Sequence, residues 1–407
     1  MATGKDAQSS PQASNRFALL LELSILSGVA LFSLFSIKQW VRGALAVKPI
    51  WVLMFYVVLS SAWSGVPLFS LRRALVLTAT TGIGIFLGTR YSLNEQTKLV
   101  AITFGLVAAC SCALVILPPH IGLEGSGAGS HFGAWRGAFV QKNYLGRVMT
   151  LGALSFYGAP FKSAVVRIGG MAICSALVVL SQSKSGIVFL LILICALPLL
   201  SLLKLRVTQL IPVAIVCGTV VTTVIAWLAS NATQLLGFIG RDSTLSGRTL
   251  LWSVLWEKYS QHKMLGYGFA GFWAVEYISV WIRVRWTPLH AHNGYLDLLL
   301  DGGLVGATLL IVAFIPITMN GIRFLRQEKT AAAVWPMLFI CFILIYNWTE
   351  VALLNQLSII WVLFTGLSVG LSGYKFKSVF NPLPQKSISF SPSAEGWRLA
   401  EPHLFDR

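Results

Sequence analysis

The chain has 407 residues, of which 56% are hydrophobic and only 11% are Asp, Glu, Lys or Arg, where a soluble domain carries about 25% charged residues. That excludes an ordinary soluble enzyme, and a mean hydropathy of +0.75 is that of an all-α polytopic membrane protein. Its net charge of +17 would suggest nucleic acid on a soluble domain. Here the cations stand singly or in pairs between apolar runs, so they read as membrane anchors or as contacts for an anionic lipid-linked substrate, and no nucleic-acid partner is expected.

In chain order, a polar tail over 1–16 precedes apolar runs near 17–36, 50–66, 74–89, 99–117, 143–160, 166–182, 186–203, 210–229, 294–317, 332–347 and 354–372. At about 20 residues per crossing these predict roughly 11–12 transmembrane helices. The first run lacks a clear small-residue cleavage site and reads as a retained span rather than a signal peptide. The organisation predicted is an N-terminal bundle of about eight helices over 17–229, a large outer loop over 230–293, about three helices over 294–372 and an inner tail over 373–407. With that loop outside, the short inner loops carry twelve Lys and Arg against seven outside, the asymmetry expected of a cytoplasmic side. All six cysteines lie inside apolar runs and read as packing residues.

Four clusters could carry chemistry. In the first, Lys142, Asn143 and Arg147 enter a span from the outer side, with Asn143 and Arg147 on one helical face. An arginine that deep costs about 2.5–3.5 kcal/mol on insertion scales and demands a partner or a watery cavity, although both cations could instead snorkel to the headgroups. The second, Ser181 to Gly186, is a polar break that is either a tight turn or a mouth where Lys184 offers charge to an anion. The third holds Arg241 and Arg248 ahead of a helix expected from Ser246, with Trp252, Leu255, Trp256 and Tyr259 on one face. A helix N-terminus and the guanidinium fork suit a diphosphate, unless Arg241 merely pairs with Asp242. Trp273, Trp281 and Trp286 extend the aromatic enrichment of a segment lying at headgroup depth.

The fourth cluster is His290, His292, Asn293, Asp297 and Asp301. His292 stands at a helix start where positive charge favours neutral imidazole, the form of a general base. Asn293, Asp297 and Asp301 share one face, and the carboxylates orient the histidine or neutralise Arg147. Metal ligation by the two histidines lacks a third ligand at a convincing spacing, so no metal and no cofactor are expected. Gly302 and Gly306 read as a close helix contact. Gly82 and Gly84 sit inside an apolar span and make no nucleotide site.

Taken together, Trp63-Ser64, Ser70 to Arg73, Trp135 to Gly146, Ser181 to Gly186, Ser246-Gly247-Arg248 with Trp252, and His292-Asn293 resemble the O-antigen ligase and polysaccharide polymerase superfamily, most closely its exopolysaccharide polymerase branch. The resemblance implies a metal-independent glycosyltransferase of the bacterial inner membrane with its site facing the periplasm. Its donor would be an undecaprenyl-diphosphate-linked oligosaccharide and its acceptor a growing glycan or a lipid A core. Membrane lipids and polysaccharide export proteins would be further partners. By matched position His292 would be the base, and Arg248 and Lys184, which replaces a common arginine, would hold the diphosphate. Arg241, Lys142, Asn143, Arg147, Asn293 and Asp297 complete the substrate-binding set expected. A permease for a small anion, or a flippase, is the alternative of another class.

Overall fold

The computed structural model describes residues 27–28, 37–125, 132–205, 209, 219, 222–223, 248–284, 288, 290–374, 390–391 and 398–399. Most of the spans expected over 17–36 and 210–229, together with Arg241, Ser246 and Trp286, lie outside them. Contacts divide the chain into a unit to Tyr374 and a second over 375–407, in which Phe390–Ser391 pairs antiparallel with Arg398–Leu399.

The first unit is helical. Among the described residues its helices include α1 (Ile37–Ala46), α2 (Lys48–Leu59), α3 (Pro67–Arg90), α4 (Leu93–Ile116), α5 (Lys142–Gly158), α6 (Ala164–Leu180) and α7 (Lys184–Leu202). Further along the chain come α8 (Arg248–Gln261), α9 (Gly271–Val275), α10 (Tyr277–Val284), α11 (Gly294–Gln327), α12 (Trp335–Asn347) and α13 (Ile359–Gly373). By length and composition α3, α4 and α11 can cross a membrane, and α6, α7, α12 and α13 are shorter apolar helices. The span expected over 50–66 is different. Helix α2 meets α1 at a break bent by 88° and passes into a 3-10 turn over Ser60–Trp63, so this stretch is a broken span or a re-entrant pair.

Local chemistry sets the ends. Pro67, which has no N–H to satisfy, opens α3. Ser92 and Glu95 form a reciprocal capping box on α4. Ser163 caps α6. Asn293 caps α11, its Oδ1 accepting from the Tyr295 and Leu296 N–H groups at 3.0 and 3.2 Å.

Helix α11 is broken where Gly303 takes φ +60°, ψ −162°, a conformation open to glycine. The segment 263–267 fills the break. Leu304 and Val305 N–H donate to the Lys263 and Met264 carbonyls at 2.8 and 3.1 Å, and Tyr267 N–H donates to the Leu300 carbonyl at 2.7 Å. Backbone groups released by the kink are thus satisfied inside the protein. The close contact expected at Gly302 and Gly306 is made by Tyr56 of α2, whose hydroxyl donates to the Gly302 carbonyl at 2.7 Å.

Helix α8 corrects one expectation. Its buried face is Leu251, Val254, Leu255 and Tyr259, which pack with Phe272, Val280, Ala291 and Leu296. Trp256 is exposed and Trp252 packs at the edge of that cluster. Packing against α11 and α10 through this mixed aliphatic and aromatic cluster therefore orients the helix, and of the expected face only Trp256 is left outside it. On α10 the exposed large hydrophobic side chains are Ile278, Trp281 and Ile282.

Candidate active site

The site is organised by a residue that the sequence reading did not select. Glu350 follows α12 in the segment leading to α13, which Asn347 shapes by accepting from the Ala352 and Leu353 N–H groups at 3.1 and 3.3 Å. Its side chain is only 10% exposed. Arg147 of α5 donates through Nη1 to Glu350 Oε1 at 2.8 Å. Its guanidinium carbon lies 4.9 Å from the Tyr144 ring centre and 5.2 Å from that of Tyr346, a desolvated cation–π setting. Arg248, at the start of α8, brings Nη2 to 3.9 Å from Oε1 and donates through Nη1 to the Thr349 carbonyl at 3.4 Å. His292 Nδ1 lies 3.4 Å from Oε1, and His290 Nε2 lies 3.5 Å from Oε2.

The electrostatics follow. Burial works against the Glu350 carboxylate, but the His292 hydrogen bond and the charge and hydrogen bond of Arg147 outweigh it and hold its pKa down at about 2. Glu350 is therefore an anion at neutral pH. His290 is pushed down to about 4, first by burial and then by the charge of His292, so it is a neutral imidazole at neutral pH.

The neighbouring side chains build the support for this group. Asp297 accepts from Trp273 Nε1 at 2.8 Å and from the Ala291 N–H at 3.2 Å. Trp252 Nε1 donates to the Ala291 carbonyl at 2.9 Å. Both thus fix the peptide between the two histidines. Asp297 consequently orients the histidine segment, one of the two roles read for it, while the counter-ion of Arg147 is Glu350. Asn293 shares the segment, and its side-chain oxygen is used in capping α11.

Lys142 and Lys184 form a separate patch, at the N-terminal ends of α5 and α7. The Lys142 N–H donates to Glu124 Oε1 at 2.8 Å and its Nζ to the Gln182 carbonyl at 3.3 Å, and Lys184 is near enough for the two charges to repel. Gly146 and Gly186, in close contact beside Ser183, bring these helix ends together. Asn143 lies half-buried in the first turn of α5. Arg147 is about one turn deeper than Lys142 along the same helix.

His290, His292 and Glu350 bring one potential ligand atom each within 4.8 Å of one another. The third potential ligand judged missing from the spacing is thus supplied by a residue 58 positions away in sequence from His292. The surroundings nevertheless suit protons better than a metal. Arg147 and Arg248 already face Oε1, and the His290 Nδ1 accepts from the His292 N–H at 3.1 Å. The proton of neutral His290 is thereby assigned to Nε2, leaving no lone pair at the nitrogen that faces Glu350.

Glu350 had one visible signal. It is the only acidic residue between Glu328 and Glu395, and it stands between two apolar runs, where an ionised group needs a partner. Its partners are remote in sequence, so no spacing rule could find them.

Two comparisons with known proteins bear on the family of the chain. The family model for O-Antigen ligase, Wzy_C, matches residues 169–311, a stretch containing Lys184, Arg248, His290, His292 and Asp297. The chain is also 27% identical over 209 residues to the exopolysaccharide production protein ExoQ of Rhizobium meliloti (strain 1021), covering 47% of this chain and 48% of that protein. The match thus spans about half of the relative's length. Both findings support the superfamily to which the motifs pointed: this multi-pass membrane protein is similar to O-antigen ligases over residues 169–311 and to an exopolysaccharide production protein over about half its length.

Proposed function

We propose that this protein is a glycosyltransferase that extends or transfers a polyprenyl-diphosphate-linked oligosaccharide at the outer face of the bacterial inner membrane. The observation that carries the reading is the sharing of one buried carboxylate by the candidate base, His292, and two guanidinium groups, Arg147 and Arg248.

The donor diphosphate would enter laterally from the bilayer and meet Arg248, which is 31% exposed at the side chain, with Lys184 and Lys142 as a second cationic patch. These cations stabilise the negative charge that develops on the diphosphate as its bond to the anomeric carbon breaks. With Nδ1 turned to Glu350, His292 would use Nε2 to take the proton of the acceptor hydroxyl. The freed oxygen attacks the anomeric carbon from the opposite face, so configuration inverts and the polyprenyl diphosphate leaves. Glu350 holds the ring and stabilises the imidazolium that forms, as the aspartate of a serine-protease triad does. Asp297, Trp273 and Trp252 keep the histidine segment in place. Arg241, outside the described residues, is a candidate to join the diphosphate contacts.

Two acceptors are supported by separate observations. The exopolysaccharide relative favours a second lipid-linked glycan and hence polymerisation. The ligase family match favours transfer to a lipid A core. Purified protein in liposomes with polyprenyl-diphosphate oligosaccharide tests the reading: a ladder of longer glycans still on polyprenyl indicates the polymerase, and transfer only to added lipid A core indicates the ligase. Arg248→Ala is expected to weaken donor binding by about ten-fold or more, the loss of one charge-assisted contact. Solute uptake without glycan product would overturn the proposal in favour of a permease.

A further inference from the structure

His292 holds a left-handed backbone, φ +50°, which a side-chain-bearing residue rarely adopts without support. Three hydrogen bonds clamp the strained stretch: Ala291 N–H to Asp297, Trp252 Nε1 to the Ala291 carbonyl, and His292 N–H to His290 Nδ1. The third comes from a titratable ring. The same ring turns Nε2 toward Glu350 Oε2 at 3.5 Å and lies with its centre 4.1 Å from that of His292.

Resting on the reading of His292 as the base, we propose that His290 is a positioning residue: its unprotonated Nδ1 holds the His292 backbone while its Nε2–H steadies Glu350, so that one neutral imidazole fixes both ends of the base–carboxylate pair. The two tasks require opposite properties of the two nitrogens, an acceptor at Nδ1 and a donor at Nε2. A neutral Nε2–H imidazole supplies both. The imidazolium cannot, because its Nδ1–H would face the His292 N–H. The Nδ1–H tautomer fails at both ends. The charged and titratable groups facing His290 are His292, Glu350, Arg147 and Arg248. Three of them are potential or permanent cations and oppose a further positive charge on His290. Glu350, the one anion, is engaged by Arg147.

Two measurements test this. The first needs no substrate. In protein labelled with nitrogen-15 at histidine and placed in lipid nanodiscs, the His290 signal, assigned by its loss in His290→Gln, should be that of a neutral ring protonated at Nε2 at pH 7. An Nδ1–H ring or an imidazolium there overturns the proposal. The second uses the transfer assay. A general base contributes about 10²–10⁴-fold, and loosening it forfeits part of that. His290→Ala should therefore lower kcat about ten- to a hundred-fold, with the KM for the lipid donor within about two-fold of wild type.

His290→Gln keeps one acceptor and one donor and does not titrate. It should restore most of kcat and remove the acid-side inflection that protonation of His290 contributes to the pH–rate profile. Wild-type kcat in His290→Ala, or His290→Gln no better than His290→Ala while binding donor normally, would overturn the proposal. If wild-type protein makes no glycan product, the functional reading fails, and the nitrogen-15 experiment still decides the clamp.

Discussion

Glu350 gathers Arg147, Arg248, His290 and His292 on its two oxygens, so its loss acts on fold and chemistry together. With the carboxylate gone, Arg147, at 2% exposure, becomes a buried cation without its counter-ion. Removing one partner of such a pair costs about 3–5 kcal/mol. Glu350→Ala is therefore expected to lower thermal stability in detergent by that amount. Glu350→Gln keeps the shape and should lose less stability but most of the transfer rate, because the amide neither balances Arg147 nor stabilises an imidazolium at His292. Equal activity in Glu350→Gln and wild type would show that the carboxylate has no part in the reaction. Arg147 and His292 were legible in the sequence because ionisable groups are anomalous beside apolar runs. Glu350 was less so, since its meaning lies in partners such as His292, 58 positions away.

At the scale of elements, the break in α11 separates the short part of the helix beside the site from the long remainder. The short first part of the helix carries Asp297, which holds the Ala291 peptide, and the break at Gly303 is occupied by the segment 263–267. A Cβ at position 303 would collide with the Met264 backbone, whereas one at position 302 would meet only the Tyr56 ring at 3.5 Å, an ordinary contact. Gly303→Ala, strained at φ +60°, is thus expected to destabilise by at least about 1–3 kcal/mol, and Gly302→Ala by much less. Melting curves of the two purified variants check the contrast, and equal melting temperatures would contradict it. The sequence showed the glycines and the 302–306 spacing. It did not show that Tyr56 and a loop fill the space, because these contacts join segments that hydropathy treats as independent. Helix α8 turns Trp252, Leu255 and Tyr259 of the expected face to the core and leaves Trp256 exposed for a related reason: the 3.6-residue period fixes which residues share a side, while the neighbours decide how much of that side is buried.

For the whole molecule, helices α8 and α10 pack onto the helical bundle. Helices α8 and α10 lie over α11 through the cluster of Leu251, Leu255, Val280 and Leu300, and Lys258 of α8 donates to Glu276, beside α10, at 2.6 Å. Burial disfavours the Glu276 charge, but hydrogen bonds from Lys258 and Ser279 and the Lys258 charge outweigh it and lower its pKa. A lowered carboxylate pKa stabilises the fold above the ordinary glutamate value, and that contribution disappears as the pH falls through the lowered one. Acidification below about pH 4.5 should therefore loosen this layer by at most about 1 kcal/mol, since the pair is partly screened by solvent. Tryptophan fluorescence during acid titration would report the loosening, and Glu276→Gln should flatten that response; an unchanged titration would remove the pair from the account. The all-α membrane class was legible from composition. The bend between α1 and α2 was not, because an apolar run of the right length looks the same straight or broken.

The most direct test of the central claim is transfer by His292→Ala in liposomes containing a purified polyprenyl-diphosphate oligosaccharide, with donor binding measured on the same protein. The account predicts bound donor and no longer glycans, beside a full ladder from wild type. A ladder from His292→Ala would contradict it.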